Sequence, residues 1–71
     1  MSEPVAIADE TIKLGQLLKL AGVVDSGGEA RAMLEAEPAI VNGEPETRRG
    51  RRLRAGDTVR AGGRELLVTS R

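Results

Sequence analysis

The chain contains no cysteine and no histidine. Neither a disulfide framework nor a thiolate metal site can brace it, and the commonest general base, the thiol nucleophile and the usual transition-metal ligands are all missing. Catalysis would have to rest on carboxylates alone. Stability would have to come from packing, and a chain of 71 residues buries only roughly 60% of the surface its unfolded form exposes. The lack of cysteine suits a reducing compartment, so the expected location is the cytoplasm. No apolar run approaches the roughly 20 residues a membrane span requires, and no basic-then-apolar leader is visible. Neither a membrane nor an export route is expected.

Aromatic residues are missing altogether. Proteins that bind single strands of nucleic acid commonly stack bases on Phe, Tyr or Trp, and that device is closed here. Any RNA recognition by this chain leans on phosphates, 2′-hydroxyls and shape, which favours folded or double-helical RNA over an unstructured strand.

The third absence is of net charge, and it hides an asymmetry. Residues 1–46 hold nine acidic and three basic residues, net −6, whereas residues 47–71 hold eight arginines and two acids, net +6. An arginine-loaded end on a neutral protein points to a localised contact with a polyanion, with the acidic remainder limiting indiscriminate sticking.

Along the chain, Val5 and Ile7 alternate with smaller or polar neighbours after Pro4, which marks an N-terminal edge strand within residues 1–10. From Thr11 the period changes. Leu14, Leu17, Leu18 and Ala21 stand at i, i+3, i+4 and i+7 on one helix face, with Lys13, Gln16 and Lys19 largely off it, and Gly22 ends the helix as a C′ residue. Ser26-Gly27-Gly28-Glu29 has the capping-box form and opens a second helix with Ala30, Met33 and Leu34 as its apolar stripe; Pro38 forbids its continuation. Two helices this short must pack on each other. Beyond Pro38 come Ala39-Ile40-Val41 running into the hairpin pair Asn42-Gly43, a turn at Gly56-Asp57, and strands at Thr58 to Ala61 and Arg64 to Thr69 around Gly62-Gly63. With no repeat, low-complexity tract or linker, the chain reads as one α+β domain over residues 1–71: two short packed helices followed by a small, mostly antiparallel sheet with β-hairpins.

The most informative stretch is Thr47 to Arg54, with five arginines in the seven positions from Arg48 onward. Guanidinium groups fit phosphate oxygens bidentately and stay charged at any physiological pH, and Gly50 lets the backbone approach a sugar-phosphate chain. A solvated, aggregation-resistant sheet edge is the competing reading. As surface residues, Arg48, Arg49, Arg51 and Arg52 are expected to be dispensable for folding. The start of the second helix, where Ser26, Gly27 and Gly28 present amides at the positive end of a dipole, suits a phosphate, although any helix needs such a cap. Arg31 lies one turn further in. It is the only basic residue of that helix, which makes the helix a poor reader of a DNA major groove.

These motifs together carry a resemblance. Ser26-Gly27-Gly28-Glu29-Ala30-Arg31, then Ile40-Val41-Asn42-Gly43, then Arg54-Ala55-Gly56-Asp57 follow the order and spacing of the S-four RNA-binding domain, or alpha-L motif, over a core of about residues 12–63. Leu17-Leu18-Lys19-Leu20 and Glu44-Pro45-Glu46-Thr47 followed by basic residues are most similar to its small standalone bacterial members, of the YaaA and YbcJ kind. The resemblance implies an RNA surface joining helix one, the start of helix two and the hairpin, formed by Lys13, Ser26, Gly27, Gly28, Arg31, Asn42, Arg48, Arg49, Arg51 and Arg52. Many members carry a basic residue at Gly27 and serine at Gly50, so in this chain the hairpin arginines should carry more of the charge.

The expected function is therefore non-catalytic binding of structured RNA, ribosomal or tRNA-like, by a monomer without a cofactor. The competing class is an adaptor that docks on ribosomal proteins. An enzyme built on paired carboxylates is disfavoured: Glu35 and Glu37 do not share a helix face, and Glu44 and Glu46 are expected in an exposed hairpin turn where nothing raises a pKa.

Overall fold

The computed structural model describes residues 2–71 of the chain. Among these residues the elements are β1 (Glu3–Ile7), β2 (Ile12–Lys13), α1 (Leu14–Leu20), α2 (Gly27–Ala36), β3 (Ala39–Val41), β4 (Glu44–Glu46), β5 (Arg52–Leu53), β6 (Thr58–Ala61) and β7 (Arg64–Ser70). The architecture is the expected α+β one, with helices against a mostly antiparallel sheet. Five strands pair in the order β1-β7-β6-β3-β4, while β2 and β5 form a separate ribbon. Strand β1 sits at the sheet edge and runs parallel to β7, with Val5 opposite Val68.

The leucine stripe of α1 is what the helix buries, since Leu14, Leu17 and Leu18 are fully enclosed. Each such burial is worth about 1.5–3 kcal/mol relative to exposure. The helix ends in a Schellman arrangement, with the Gly22 amide donating to the Lys19 carbonyl at 3.1 Å and the Val23 amide to the Leu18 carbonyl at 2.9 Å. Its start differs from the periodicity, which turns helical at Thr11. Ile12 and Lys13 are extended and pair antiparallel with Leu53 and Arg52, so the helix begins only at Leu14. A β-branched Ile12 opposite buried Leu53 makes an apolar cross-strand pair that a further helical turn would forfeit.

In α2 the Ser26 hydroxyl oxygen accepts the Glu29 amide at 3.1 Å. The Glu29 carboxylate reaches one residue further back than the standard box, accepting the Asp25 amide at 3.1 Å. Ala30 and Leu34 are buried, and the helix stops at Ala36, two residues before Pro38.

Residues of alternating parity on the strands, among them Ile7, Ala39, Val41, Val59, Leu66 and Val68, face the helices and share one core with their leucines. Both edge strands carry a proline, Pro4 in β1 and Pro45 in β4, which withholds an edge donor from pairing with another chain. The Gly62-Gly63 turn joins β6 to β7 with φ of 58° and 76°. At Gly62 the turn also presses on the helical layer: an added Cβ would lie 2.8 Å from Met33 Cε and 3.1 Å from Val23 Cγ1.

Gly62→Ala is therefore expected to destabilise the fold by about 1–3 kcal/mol for its left-handed backbone, with the contact against Met33 and Val23 added. Gly63→Ala meets nothing within 4 Å and should cost less. Urea unfolding followed by circular dichroism checks the pair; equal losses would show that the contact under Gly62 contributes nothing.

Candidate nucleic-acid interface

Between β4 and β5 the arginine stretch forms a loop, residues 47–51, closed by the Arg51 amide donating to the Arg48 carbonyl at 3.2 Å. The first amides of any helix lack partners within it, and Lys13, at the N-cap of α1, offers no side-chain hydrogen bond. The loop supplies what is missing: the Leu14 amide donates to the Arg51 carbonyl and the Gly15 amide to the Arg49 carbonyl, both at 2.8 Å. Such proximity needs Gly15. A Cβ there would lie 3.2 Å from Arg49 Cβ and 3.4 Å from Arg49 O, and 3.8 Å from Ala30 Cβ on the neighbouring helix.

This docking gathers an open groove of about 340 Å³, lined by Lys13, Gly15, Gln16, Lys19, Gly27, Arg49 and Gly50. Lys13, Gln16 and Lys19 recur every three residues along the polar flank of α1. Arg49 closes the far side, its Nη1 donating to the Gly27 carbonyl at the start of α2 at 3.2 Å. Three cations meet there, and among the described residues no acid lines the groove.

Glu46 stands behind the loop. It pairs across the hairpin with Ala39, so its side chain falls on the core side of the sheet, where it is only 7% exposed. Its Oε2 accepts the Arg48 amide at 3.0 Å and Arg48 Nε at 3.1 Å, while Oε1 accepts Arg48 Nη2 at 3.0 Å and Arg51 Nη1 at 3.1 Å. The Arg48 guanidinium first, then the Arg48 amide and Arg51, hold the Glu46 carboxyl at about 2, well below its usual 4.5. Two expectations from the sequence are thereby corrected. Glu46 is not part of an exposed turn, because strand register turns it inward. Nor are Arg48, Arg49, Arg51 and Arg52 all free-standing surface residues, because Arg48 and Arg51 partner a buried carboxylate, which cannot be left unpaired without cost.

The other residues singled out by sequence are distributed around this centre. Arg52 reaches from β5 to the Thr11 hydroxyl at 3.2 Å. Ser26, Gly27 and Gly28 form the first turn of α2, with the Ser26 oxygen engaged by Glu29. Arg31 pairs along the exposed face of α2 with Glu35 at 3.1 Å. Asn42 does not line the groove: its side chain donates to Asp57 Oδ1 at 3.0 Å and accepts the Thr58 amide at 2.9 Å, tying the first hairpin to the Arg54–Asp57 turn. Gly15, Gln16 and Glu46 enter the site although sequence reasoning did not select them, while Lys19 and Gly50 line the groove beside the residues it did select. The three-residue spacing of Lys13, Gln16 and Lys19 was a legible signal; the approach at Gly15 and the inward turn of Glu46 depend on tertiary contacts.

The depressed carboxyl sets a pH dependence. Glu46 binds a proton more readily unfolded than folded, so the stability it contributes is fully present above about pH 4.5 and is lost as pH falls towards 2. The urea midpoint should drop across that window in the wild type and drop less in Glu46→Gln, with Glu3 and Glu65, also lowered by hydrogen bonds from Arg64 and Ser2, unchanged between the two. Parallel profiles would remove Glu46 as the source.

Comparison with known proteins assigns the chain to a family. The "Probable ribosome maturation protein RlbA" of Bacillus subtilis (strain 168) is 51% identical over 59 residues, covering 83% of this chain and 83% of that protein. The family model described as "S4 domain" matches residues 5–69, a span that takes in the last three residues of β1, both helices, the arginine loop and all but the last residue of β7. The chain belongs to the S4 domain family, the RNA-binding family that its motifs resemble.

Proposed function

We propose that this chain is a non-catalytic module that binds structured RNA, ribosomal RNA foremost, by seating backbone phosphates in the groove between the arginine loop, α1 and the start of α2. The observation that carries this reading is the convergence of Lys13, Lys19 and Arg49 on one concave surface without an acidic lining residue. Ammonium groups act there as point charges, and a guanidinium fixed by its contact with Gly27 adds directional donors. Gly27 and Gly28 present the first amides of α2 beside it, at the positive end of the helix. Arg48, Arg51 and Arg52 extend the cationic surface along the loop and β5, and Arg31 extends it onto α2. Asn42 acts at one remove, by holding the hairpin to the following turn. A chain without aromatic residues has no aromatic base-stacking platform, which favours recognition through backbone and shape. The family, and a relative named for ribosome maturation, support ribosomal RNA ahead of tRNA-like RNA as the target and the cytoplasm as the site of action.

A second reading, docking on ribosomal or assembly proteins, draws on Leu20, which is 54% exposed beside a hollow lined by Ala6, Ile7, Ala8 and Ile12. A ribonuclease-resistant complex with such proteins would favour it.

The test is binding of the protein to purified ribosomal RNA, duplex DNA and an unstructured oligonucleotide over a salt series, beside a variant carrying Lys13→Ser, Lys19→Ser and Arg49→Ser. Ribosomal RNA should bind most tightly, with log K falling by roughly 0.7–0.9 per phosphate contacted per decade of salt. The triple variant should bind at least about tenfold more weakly with a salt slope shallower by about 2–3. A flat salt response, or a variant that binds like the wild type, would overturn the reading.

A further inference from the structure

We propose that Glu46 is a positioning residue for RNA: its carboxylate clamps the Arg48 and Arg51 guanidinium groups in one orientation, so that their remaining donors meet phosphates already aligned. The inference rests on the RNA reading above and assigns a role to the one buried acid of the interface.

A carboxylate next to a phosphate-binding surface works against binding by simple repulsion, so its presence calls for a reason. The geometry supplies one. Adjacent hydrogen bonds from Arg48 Nε and Nη2, at 3.1 and 3.0 Å, fix the plane of that guanidinium by one edge. The other edge is free to act: the Arg48 side chain is 75% exposed, and of its five N–H donors the clamp engages one on Nε and one on Nη2. Arg51, 35% exposed, spends one donor of Nη1 on the same carboxylate. The Arg48 amide on Oε2 ties the loop backbone to the same point, so side chains and main chain are registered together. Among the described residues Arg54 and Arg60 have no side-chain hydrogen bond, and they provide an internal reference for unclamped arginines. Exposed arginines lose rotamer freedom when they bind a phosphate. In Arg48 and Arg51 much of that loss has already been incurred on folding. The trio carries a net charge of +1, so the clamp exchanges raw charge for alignment.

Charge and positioning make opposite predictions for Glu46→Gln. If the carboxylate only repels phosphate, removing it tightens binding; if it positions, binding to purified ribosomal RNA weakens by about tenfold, the cost of ordering two arginine side chains, although the protein has lost a negative charge. Circular dichroism shows whether the variant is folded. A second measurement needs no variant: 15N relaxation of the arginine Nε groups in the free wild type. Arg48 and Arg51 should be nearly as ordered as the backbone, with Arg54 and Arg60 mobile. Equal mobility of the four, or unchanged or tighter binding by folded Glu46→Gln, overturns the role of Glu46 while leaving the RNA reading standing. Absence of wild-type binding to any RNA overturns both.

Discussion

The first two amides of α1 lie at a helix end that has no side chain to cap them, and the carbonyls of Arg49 and Arg51 take that place. Much of the interface follows from this contact. It draws the arginine loop against the helix, places Arg49 over the start of α2, and turns the polar flank of α1 into a groove wall rather than an isolated surface. It also explains the glycine in the first turn of an otherwise leucine-rich helix, since any side chain at Gly15 would push against Arg49. The ribbon of Ile12–Lys13 with Arg52–Leu53 secures the same contact from its two ends, because β2 leads into the helix and β5 leads out of the loop.

Electrostatics then decides what the assembled surface favours. The acidic part of the sequence is not gathered opposite the arginines: Glu29 caps its own helix, Glu35 pairs with Arg31, and Glu3 binds Arg64 across β1 and β7. Those exposed pairs add little stability. Glu46 is different because it is buried and accepts four hydrogen bonds, and its charge is what makes two arginines part of the fold as well as part of the surface. A net charge of zero is thus compatible with a cationic groove, since among the described residues no acid lines it.

The elements were legible wherever short-range rules govern them. Leucine spacing, Gly22, Ser26, Pro38, Asn42-Gly43 and Gly62-Gly63 each act within a few residues, and the end of α1, α2 and both hairpins appear where those residues placed them. The start of α1 was misplaced because a strand partner about forty positions away in the chain claims Ile12 and Lys13. The candidate site was legible as composition but not as geometry. The arginine run announced a polyanion surface, and the polar spacing on α1 hinted at its second wall. That Arg49 faces the groove while Arg48 and Arg51 turn towards Glu46 depends on strand register and loop closure, which residue types do not disclose.

The central claim is that RNA is held where the loop, α1 and the start of α2 meet. Titration of a folded ribosomal RNA fragment into 15N-labelled protein, followed by amide chemical shifts, tests it most directly. The shifts of Gly15, Gln16, Lys19, Gly27, Gly28, Arg49 and Gly50 should move together and saturate, while Arg60, Glu65 and Leu67 on the opposite face of the sheet stay in place. Shifts confined to that far face, with the groove amides unmoved, would contradict the account.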